Sequence, residues 1–569
     1  MLDSNMTCDY LLDADDPETW DGEQGDECHV DEEILNEHGL WGCPHEVAGE
    51  VDGEHLCLFH LPVDKKDDER VVEAFLEVVE GADSTDSKKQ GQFLGGRFGK
   101  FELSENTTVM QDCLINLSHA VFDEIKAEQT EFGGDLVCRG IRVNRQVNFK
   151  QAVFRGNAVF WDVEFGSFAD FEFVEFKEAL SFENADFGLL TDFSYVTFEE
   201  VSDFSGSEFE GDVNFLYANF NDIVLFESVK FGGDATFDSV EFSDGVSFED
   251  TIFEQNAEFW RSEFFGRSDF ENVNFNGEMH FEQSEFYEYA NFVGLTLDGC
   301  EFDHANLTDV EFTNTSLCEA NLESAMLSRA TLLGTDLRGA KLNGAVLGDV
   351  RINADTQFLG HPKGDSNSSP YTFSAIRSKP CCVYDPSYNG DSDEVDADKA
   401  KTVYRALEEL AGKAARPRLQ SQCFVRRQDL QKDGYWQDAK DAELCQERLI
   451  AGGRYSRAKV AQVTLLYGES PWRIIGGSVG FIIVVAILYP LGDWLQPVGG
   501  DPITYSRILN GEWELLLESL YFSTLTFTTL GMGDYTPVGV GQILATFNTA
   551  LGAVLIALLV FVLGRRAAR

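Results

Sequence analysis

One short stretch near the C-terminus carries residues suited to binding a cation. Residues 528–534 read Thr-Thr-Leu-Gly-Met-Gly-Asp. A stretch so rich in threonine and glycine predicts irregular backbone, whose carbonyl oxygens can face an ion. No acid pair, activated nucleophile or phosphate loop accompanies the stretch, and we therefore expect no enzymatic activity.

A second group of residues, in the acidic N-terminal segment 1–70, has the side chains of a metal site. A Cys-x-His at 43 and a Cys-x-x-His at 57 are spaced so that a turn aims both side chains of a pair at one ion. Thiolate and imidazole ligands suit zinc, and a metal supplies folding free energy to a segment with little core. The alternative is a set of free thiols in a reducing cytoplasm. The predicted structural zinc site comprises Cys8, Cys43, Cys57 and His60, with Cys28 and His45 as substitutes.

Two uncharged apolar segments flank the first of these candidate sites. Residues 474–491 and 543–563 are each long enough to cross a bilayer as a helix. Between them, residues 513–527 are typical of a shorter amphipathic helix that runs directly into the Thr/Gly-rich stretch. Irregular backbone at membrane depth is tolerated only where it lines a water-filled path or is buried in protein. The pattern predicts two transmembrane helices with a re-entrant helix and loop between them.

The stretch from Tyr521 to Asp534 resembles the pore helix and selectivity filter of the two-transmembrane potassium-channel family, and the resemblance extends over residues 471–569. It implies K⁺ as the permeant ion, a homotetramer around one pore, and a hinge at Gly552, for which easier helix packing is the alternative. Two positions depart from the family pattern, because Leu530 stands in place of valine and Met532 in place of an aromatic residue. The implied filter residues are Thr528, Thr529, Leu530, Gly531, Met532, Gly533 and Asp534.

Basic residues predict the orientation of these helices independently of any family. They precede the first apolar segment and follow the second, so the positive-inside rule places both termini in the cytoplasm of a multi-pass cell-membrane protein. No basic, apolar signal sequence opens the chain, which agrees with that orientation. The basic residues are Arg454, Arg457, Lys459, Arg473, Arg565, Arg566 and Arg569.

The charge balance is strongly acidic. The chain has 99 acidic and 43 basic side chains, a formal net charge of −56. Molar salt shortens the screening length to about 3 Å and makes such an excess tolerable, which favours a halophilic, haloarchaeal source. The competing interpretation is an acidic surface that engages a basic partner or imitates nucleic acid. Direct nucleic-acid binding is not expected under either interpretation.

Phenylalanines recur with a period that fits neither a helix nor a simple strand. Their spacing alternates between five and six from residue 149 and becomes a strict five beyond Leu297, with a small or β-branched residue two positions earlier. This pattern resembles the pentapeptide-repeat family, which implies a right-handed quadrilateral β-helix over residues 132–358. Residues 90–131 are expected to cap it. Cys138 and Cys300 fall at inward positions and are expected to be core residues. Some members of the family imitate duplex DNA and bind topoisomerases.

Two further regions connect the repeats to the predicted pore domain, 471–569. Residues 359–396 are rich in Pro, Ser, Gly and Asp and indicate a flexible linker that contains two cysteines, at 381 and 382. Residues 397–470 show helical periodicity, with Val403, Leu407 and Leu410 on one stripe. Phe424, Leu430, Leu444 and Leu449 indicate two more helices, and Val460, Val463, Leu466 and Tyr467 indicate an interfacial helix on the inner leaflet.

These observations predict a mixed fold in which a pentapeptide-repeat β-helix is joined by a small helical connector to a two-helix pore domain. We expect a tetrameric, potassium-preferring cation channel in a lipid bilayer. Its cytoplasmic repeat domain would serve regulation or scaffolding with a protein partner that the sequence does not identify. Two alternatives are a membrane-tethered scaffold whose hairpin does not conduct and a DNA mimic that binds topoisomerase.

Overall fold

The computed structural model describes residues 7–20, 22, 28–31, 34–80, 91–109, 114–362, 380–388, 395–531 and 533–567, without the side chains of 464, 465 and 565–567. The chain forms two compact units, Met1–Val395 and Asp396–Arg569. The first contains a β-solenoid of about 11 turns. The second is helical and includes two apolar helices long enough to cross a membrane.

The N-terminal segment is a small irregular layer with two antiparallel strand pairs. Leu11–Asp13 pairs with Leu40–Gly42, and Val47–Val51 pairs with Glu54–Cys57. Short 3-10 turns cover Pro17–Trp20 and Val63–Lys65, and helix α1 spans Asp68–Glu80.

Helix α1 joins this segment to the solenoid. It buries Val71, Phe75 and Val79, and the Phe75 ring lies 4.7 Å from that of Phe93 and 5.0 Å from that of Phe101. The sequence predicts no helix here, because the three buried apolar residues stand among five glutamates and aspartates in a helix of 13 residues. The segment therefore shares a core with the first coils.

Each coil of the solenoid contributes one short strand to each of four faces, and every strand pairs in parallel with the same face of the next coil. Partners lie 22 residues apart over most of the solenoid, as in the pairing of Phe154 with Phe176. The first face contains Glu164–Phe165, Asp186–Phe187, Glu208–Phe209, Lys230–Phe231, Ile252–Phe253 and Asn274–Phe275. The second contains Phe168–Asp170, Leu190–Asp192, Asp212–Asn214, Ala235–Thr236, Ala257–Glu258 and Met279–His280. Arg97–Glu102, Val121–Lys126 and Arg142–Asn148 run across both of these faces.

The other two faces are equally regular. The third contains Thr108–Val109, Glu131–Phe132, Val153–Phe154, Glu175–Phe176, Thr197–Phe198, Asn219–Phe220, Glu241–Phe242, Glu263–Phe264 and Glu285–Phe286. The fourth contains Ile115–Asn116, Leu136–Val137, Ala158–Val159, Leu180–Ser181, Ser202–Asp203, Val224–Leu225, Val246–Ser247, Ser268–Asp269 and Ala290–Asn291. Beyond these, isolated parallel bridges such as Asn306 to Met326 continue the ladder, and Thr331–Leu332 pairs with Arg351–Ile352.

Stacked phenylalanine rings fill the interior. Along the third face, the rings of Phe198 and Phe220 lie 4.4 Å apart and 2° from parallel, and the other neighbours on that face repeat this geometry. A fully buried phenylalanine contributes about 1.5–3 kcal/mol, and each ring gains it only against the coils above and below. Cys138 and Cys300 are buried in this core as the sequence predicts, and burial raises the pKa of both thiols.

The two spacings of the repeat correspond to two kinds of corner. In the 22-residue coils a residue with positive φ recurs every 11 residues, at Asn184, Tyr195, Gly206 and Tyr217 for example, so only two of four corners turn in this way. Beyond Gly294 such a residue recurs every five, as at His304 and its successors. Successive inward residues are therefore five apart across a corner that contains a residue with positive φ. They are six apart across the other kind of corner.

Both ends of the solenoid are covered by other parts of the chain. The predicted cap, 90–131, is itself wound into coils, because Arg97–Glu102 pairs in parallel with Val121–Lys126 and the Phe98 ring stacks on Phe122 at 4.6 Å. The N-terminal segment lies beyond it. At the other end, residues 381–385 and Tyr388 of the predicted linker are buried on the last coils, where the Tyr384 hydroxyl donates to Glu323 Oε1 at 2.8 Å. The linker residues 363–379 and 389–394 lie outside the described residues.

The second unit begins with three helices, α2 (Ala397–Lys413), α3 (Pro417–Asp441) and α4 (Cys445–Leu465). Asp396 caps α2 by accepting hydrogen bonds from the amides of Asp398 and Lys399. The predicted stripe of α2 is buried, but Leu444 and Leu449 are exposed. Helix α4 is continuous, and it contains the start of the predicted interfacial helix, whose Val460 and Val463 are also exposed.

The remaining elements form the membrane part. They are a 3-10 turn at Leu466–Gly468, helix α5 (Pro471–Leu488) with a 3-10 extension Tyr489–Leu491, a strand Leu495–Pro497, helix α6 (Tyr505–Leu509), helix α7 (Glu514–Phe527), a strand Tyr535–Pro537 and helix α8 (Val540–Ala567).

Carboxylates stacked on the first face predict that salt stabilises the solenoid. Glu164, Asp186 and Glu208 are in register on successive coils, and burial together with the two neighbouring carboxylates raises the pKa of Asp186. A folded pKa above the unfolded one means that ionisation costs stability at neutral pH, and that this cost falls as the pH is lowered. Asp186→Asn should therefore raise the melting temperature by about 1–2 °C at about 0.1 M salt and by less at about 1 M. Circular dichroism of the full chain in detergent measures this.

Glu105→Gln is the matched control, because Glu105 is exposed in a turn outside the strands of the four faces. An equal salt response in the two variants would contradict a contribution from the stacked carboxylates.

Candidate ion-conducting site

Helix α7 lies between the two apolar helices and is fixed to both. The Ser523 hydroxyl donates to the carbonyl of Ile482 on α5 at 2.8 Å, and the Asn548 amide on α8 donates to the carbonyl of Ser523 at 2.9 Å. Val485, Tyr489 and Phe522 are buried in the core between the helices. The short helix α7 is thus packed between two longer apolar helices, as the sequence predicts.

The chain leaves α7 through a left-handed residue. The amide of Thr528 donates to Thr524, that of Leu530 donates to the Leu525 carbonyl at 2.9 Å, and Thr529 between them has φ 59°. The helix therefore ends at the first residues of the predicted filter. Because its C-terminal carbonyls carry partial negative charge, this end of the helix favours a cation.

Most of the predicted filter is exposed in the single chain. Thr529, Leu530, Gly531, Gly533 and Asp534 are all exposed, and Leu530 shows 60% of its surface. No atom of the described chain lies within 4 Å of where a Cβ on Gly531 or Gly533 would stand. Within one chain these glycines are thus not required by packing. Met532 lies outside the described residues.

The segment after the filter is tied to the loop that follows α5. Tyr535–Pro537 pairs antiparallel with Leu495–Pro497, and the Val498 amide donates to the Asp534 carbonyl at 3.0 Å. The Tyr535 ring lies 6.1 Å from that of Phe522 on α7. The exposed stretch is therefore held at both of its ends.

Gly552 lies within the continuous helix α8 and directly against the end of α7. A Cβ at this position would stand 2.0 Å from the Phe527 carbonyl oxygen. Close approach of backbones through glycine is a common way for membrane helices to pack. This contact supports the packing role of Gly552, and its use as a hinge stays a prediction.

The sequence prediction did not include Asn548. This residue is completely buried, and its side-chain amide also donates to the Thr526 hydroxyl at 2.7 Å, two residues before the predicted filter. A signal for it was present, since an asparagine in an otherwise apolar span marks a packing or functional position. Asn548 links α8 to the last turn of α7.

A polar cluster joins the connector to the start of the membrane part. The buried Asp429 of α3 accepts hydrogen bonds from Gln462 Nε2 at 2.6 Å and from the Tyr467 hydroxyl at 2.9 Å. Leu466 and Tyr467 both have positive φ and form the bend between α4 and α5. Burial and the Asp429 carboxylate raise the pKa of the Tyr467 hydroxyl, which therefore keeps its proton and donates.

The predicted metal ligands come together in the other unit. The side chains of Cys8, Cys43, Cys57 and His60 are all buried, and one ligand atom from each lies within 4.8 Å of the others. The two substitutes lie elsewhere. Cys28 Sγ is 3.8 Å from His119 Nε2, and His45 Nε2 is 2.9 Å from the Gln92 carbonyl.

Comparison with known families agrees with this division of the chain. A model of pentapeptide repeats in eight copies matches residues 288–323 and 305–344, one of nine copies matches 215–263, and a model described as "Ion channel" matches 499–569. The chain thus carries pentapeptide repeats and an ion-channel domain in one polypeptide, and it is a membrane protein. Both matched families are of non-enzymatic kinds. No curated protein sequence matches the chain.

Several solved structures are similar to parts of the chain. Rfr23, a pentapeptide-repeat protein of the cyanobacterium Cyanothece 51142, is 20% identical over 22% of this chain and 63% of its own length, with a TM-score of 0.13. HetL of Nostoc sp. PCC 7120, involved in heterocyst differentiation regulation, is 16% identical over 45% and 86%, with a TM-score of 0.15. QnrB1, a plasmid-mediated fluoroquinolone resistance protein, is 17% identical over 31% and 89%, with a TM-score of 0.11. Similarities this weak say nothing about function.

The contact at Gly552 yields a test that separates packing from hinging. Gly552→Ala places a methyl group against the Phe527 carbonyl, so we expect α7 to shift. The ionic current should fall by at least about tenfold, which corresponds to destabilising the conducting state by roughly 1.4 kcal/mol. Single-channel recording of the full chain in planar bilayers measures this.

Gly564→Ala is the control on the same helix, because no atom lies within 4 Å of its added Cβ. A Gly552→Ala channel with normal conductance and slower gating would instead favour the hinge.

Proposed function

We propose that four copies of this chain form a cation channel that prefers K⁺. The observation that carries the proposal is the exposure of Thr529–Gly531, Gly533 and Asp534, a stretch that begins at the C-terminal end of α7 between two apolar helices. One chain supplies a quarter of a ring of carbonyl oxygens, and cyclic assembly completes it. The match of an ion-channel family to 499–569 supports conduction.

The exposed apolar surface of the membrane part fits the proposed assembly. Only 17% of the most apolar 18 residues of α8 are buried. The side chains of Phe547 and Val560 are 58% and 64% exposed. Such side chains contact either lipid or other copies in a membrane. Basic residues stand before the first apolar segment and after the second. By the positive-inside rule they support an orientation with both termini, and hence the solenoid, in the cytoplasm.

Regulation is proposed to reach the pore through the connector. Asp429 holds Gln462 and Tyr467 at the bend before α5, and the Ser421 hydroxyl of α3 donates to Glu469 Oε2 at 2.9 Å. A displacement of α3 would therefore change the bend and the start of the first membrane helix. The solenoid would supply that displacement when it binds a cytoplasmic partner.

Selectivity is the first prediction of the proposal. With potassium on one side of a planar bilayer and sodium on the other, at high salt, the wild-type chain should show a reversal potential near that of potassium. Gly531→Ala should abolish the current, because four added methyl groups would crowd the proposed ring even though one chain alone leaves room for each Cβ. Gly477→Ala, on the exposed side of α5 with no atom within 4 Å of its added Cβ, should conduct normally.

Three other outcomes would each change the proposal. A reversal potential near zero with current intact would make the pore non-selective and remove the preference for K⁺. Absence of current from the wild type would favour the membrane-tethered scaffold. Light scattering of the detergent-solubilised chain should show the mass of four copies, and a monomer would contradict the ring.

Coupling through Asp429 is the second prediction. Asp429→Ala removes the acceptor shared by Gln462 and Tyr467 and leaves a half-buried tyrosine hydroxyl without this partner, which costs about 1 kcal/mol. We expect the open probability to change by about tenfold while the conductance and reversal potential stay unchanged. Asp438→Ala, at an exposed position of the same helix, is the control. An unchanged open probability in a conducting Asp429→Ala channel would contradict coupling without affecting the pore.

A further inference from the structure

The four buried ligand atoms in the N-terminal segment lie close enough together to hold one metal ion. Cys43 Sγ lies 3.7 Å from Cys57 Sγ, and His60 Nδ1 lies 3.8 Å from Cys8 Sγ and 3.1 Å from Cys57 Sγ. Zinc bound to sulfur at about 2.3 Å and to nitrogen at about 2.0 Å requires edges of about 3.5–3.8 Å. The Cys43–Cys57 and Cys8–His60 separations equal these edges, and the Cys57–His60 separation is shorter. All four atoms lie within 4.8 Å of one another, so small side-chain rotations suffice to place one small ion between them.

The type of ligand also selects the metal. Three thiols and one imidazole form a soft, fully protein-derived set of four, which suits Zn²⁺ in a structural site and leaves no position for a substrate. Calcium and magnesium are disfavoured because they take oxygen ligands. Since all four side chains are buried, the site offers no access for solvent-exposed chemistry.

Neighbouring groups hold the ligands in place. The second ring nitrogen of His60 is 2.9 Å from the Leu94 carbonyl, which fixes its proton there and leaves Nδ1 free to bind a metal. The Cys57 amide donates to Cys8 Sγ at 3.1 Å, and the Tyr10 ring stacks on His60 at 3.9 Å. Lys66 donates to the carbonyls of two residues inside the turn that carries Cys57 and His60.

The ligands come from parts of the chain that share no continuous strand or helix. Cys8 precedes the first strand, Cys43 follows the second, and Cys57 ends the fourth. The same turn touches the solenoid through His60 and Leu94 and through Lys66, which also donates to the Arg97 carbonyl. A metal at this point therefore connects the separate pieces of the N-terminal segment to one another and to the first coil.

We propose that Cys8, Cys43, Cys57 and His60 bind one Zn²⁺ and that this ion fastens the N-terminal segment over the first coil as the cap of the solenoid. The cap covers the ladder that would otherwise end at Arg97–Glu102 with unpaired backbone groups. This assignment is independent of the pore, and either can fail without the other.

Metal content of the purified full chain is the first measurement. Elemental mass spectrometry should find one zinc per chain in the wild type and less than about a tenth of that in Cys43→Ala. The control is Cys138→Ala, which should keep one zinc because its buried thiol lies in the solenoid core. His60→Cys replaces the imidazole by a fourth thiol, so the site keeps four ligands and should retain zinc. Cobalt exchanged into the site should show the visible absorption of tetrahedral thiolate coordination.

Hydrogen exchange of the wild-type full chain tests whether the ion fastens the cap to the first coil. It needs no substituted protein, so misfolding of a variant does not affect the test. Chelation of the wild-type metal should lower protection about tenfold or more in residues 91–109, and protection in residues 215–263 should not change, because coils interact with their neighbours only. Zinc absent from the wild type after reconstitution with zinc, zinc retained in Cys43→Ala, or unchanged protection after chelation would each overturn the proposal.

Discussion

Backbone amides and carbonyls that leave water need partners inside the protein, and the two units meet this requirement in different ways. In the solenoid, each short strand finds its partners only on the coils before and after it, so the coils depend on one another. In the membrane part, the long helices bond within themselves, which is what a lipid environment demands. The proposed filter is the exception, since its irregular backbone is exposed where an ion is expected to be the partner.

Much of the solenoid could be predicted because its core repeats in the sequence. The alternation of five and six between phenylalanines predicted 22-residue coils, and the positive φ at every eleventh residue explains why one corner is shorter than the next. Helix α1 and the buried residues 381–385 could not be predicted in this way. Each occurs once, and Tyr384 or Phe75 is a core residue only because distant coils lie beside it. The long-range packing that creates these contacts has no local period.

The candidate sites were predictable where the residue type limits the possible chemistry. Of 12 cysteines, the spacing singled out Cys43 and Cys57, and the prediction added Cys8. The structure brings these three together with His60, whereas His45, which the spacing paired with Cys43, lies beside the Gln92 carbonyl. Spacing could not decide the role of Gly552, because a hinge and a close contact both require glycine. The distance to the Phe527 carbonyl supplies that information. Asn548 and Asp429 act through partners 25 and 33 to 38 residues away, which no local motif reveals.

The covered ends of the solenoid have a consequence for the membrane as a whole. Proteins held in a bilayer diffuse in a plane, so their attached domains meet at local concentrations far above those of free proteins. A solenoid with an open ladder would offer its last strand to the next molecule, and head-to-tail contacts that do not close grow without limit. The N-terminal segment occupies the first coil, where the Arg97 amide donates to the Phe59 carbonyl, and residues 381–385 are buried against the last coils. Ends occupied in this way would leave contacts between neighbouring solenoids mainly to the sides, where like charges would repel.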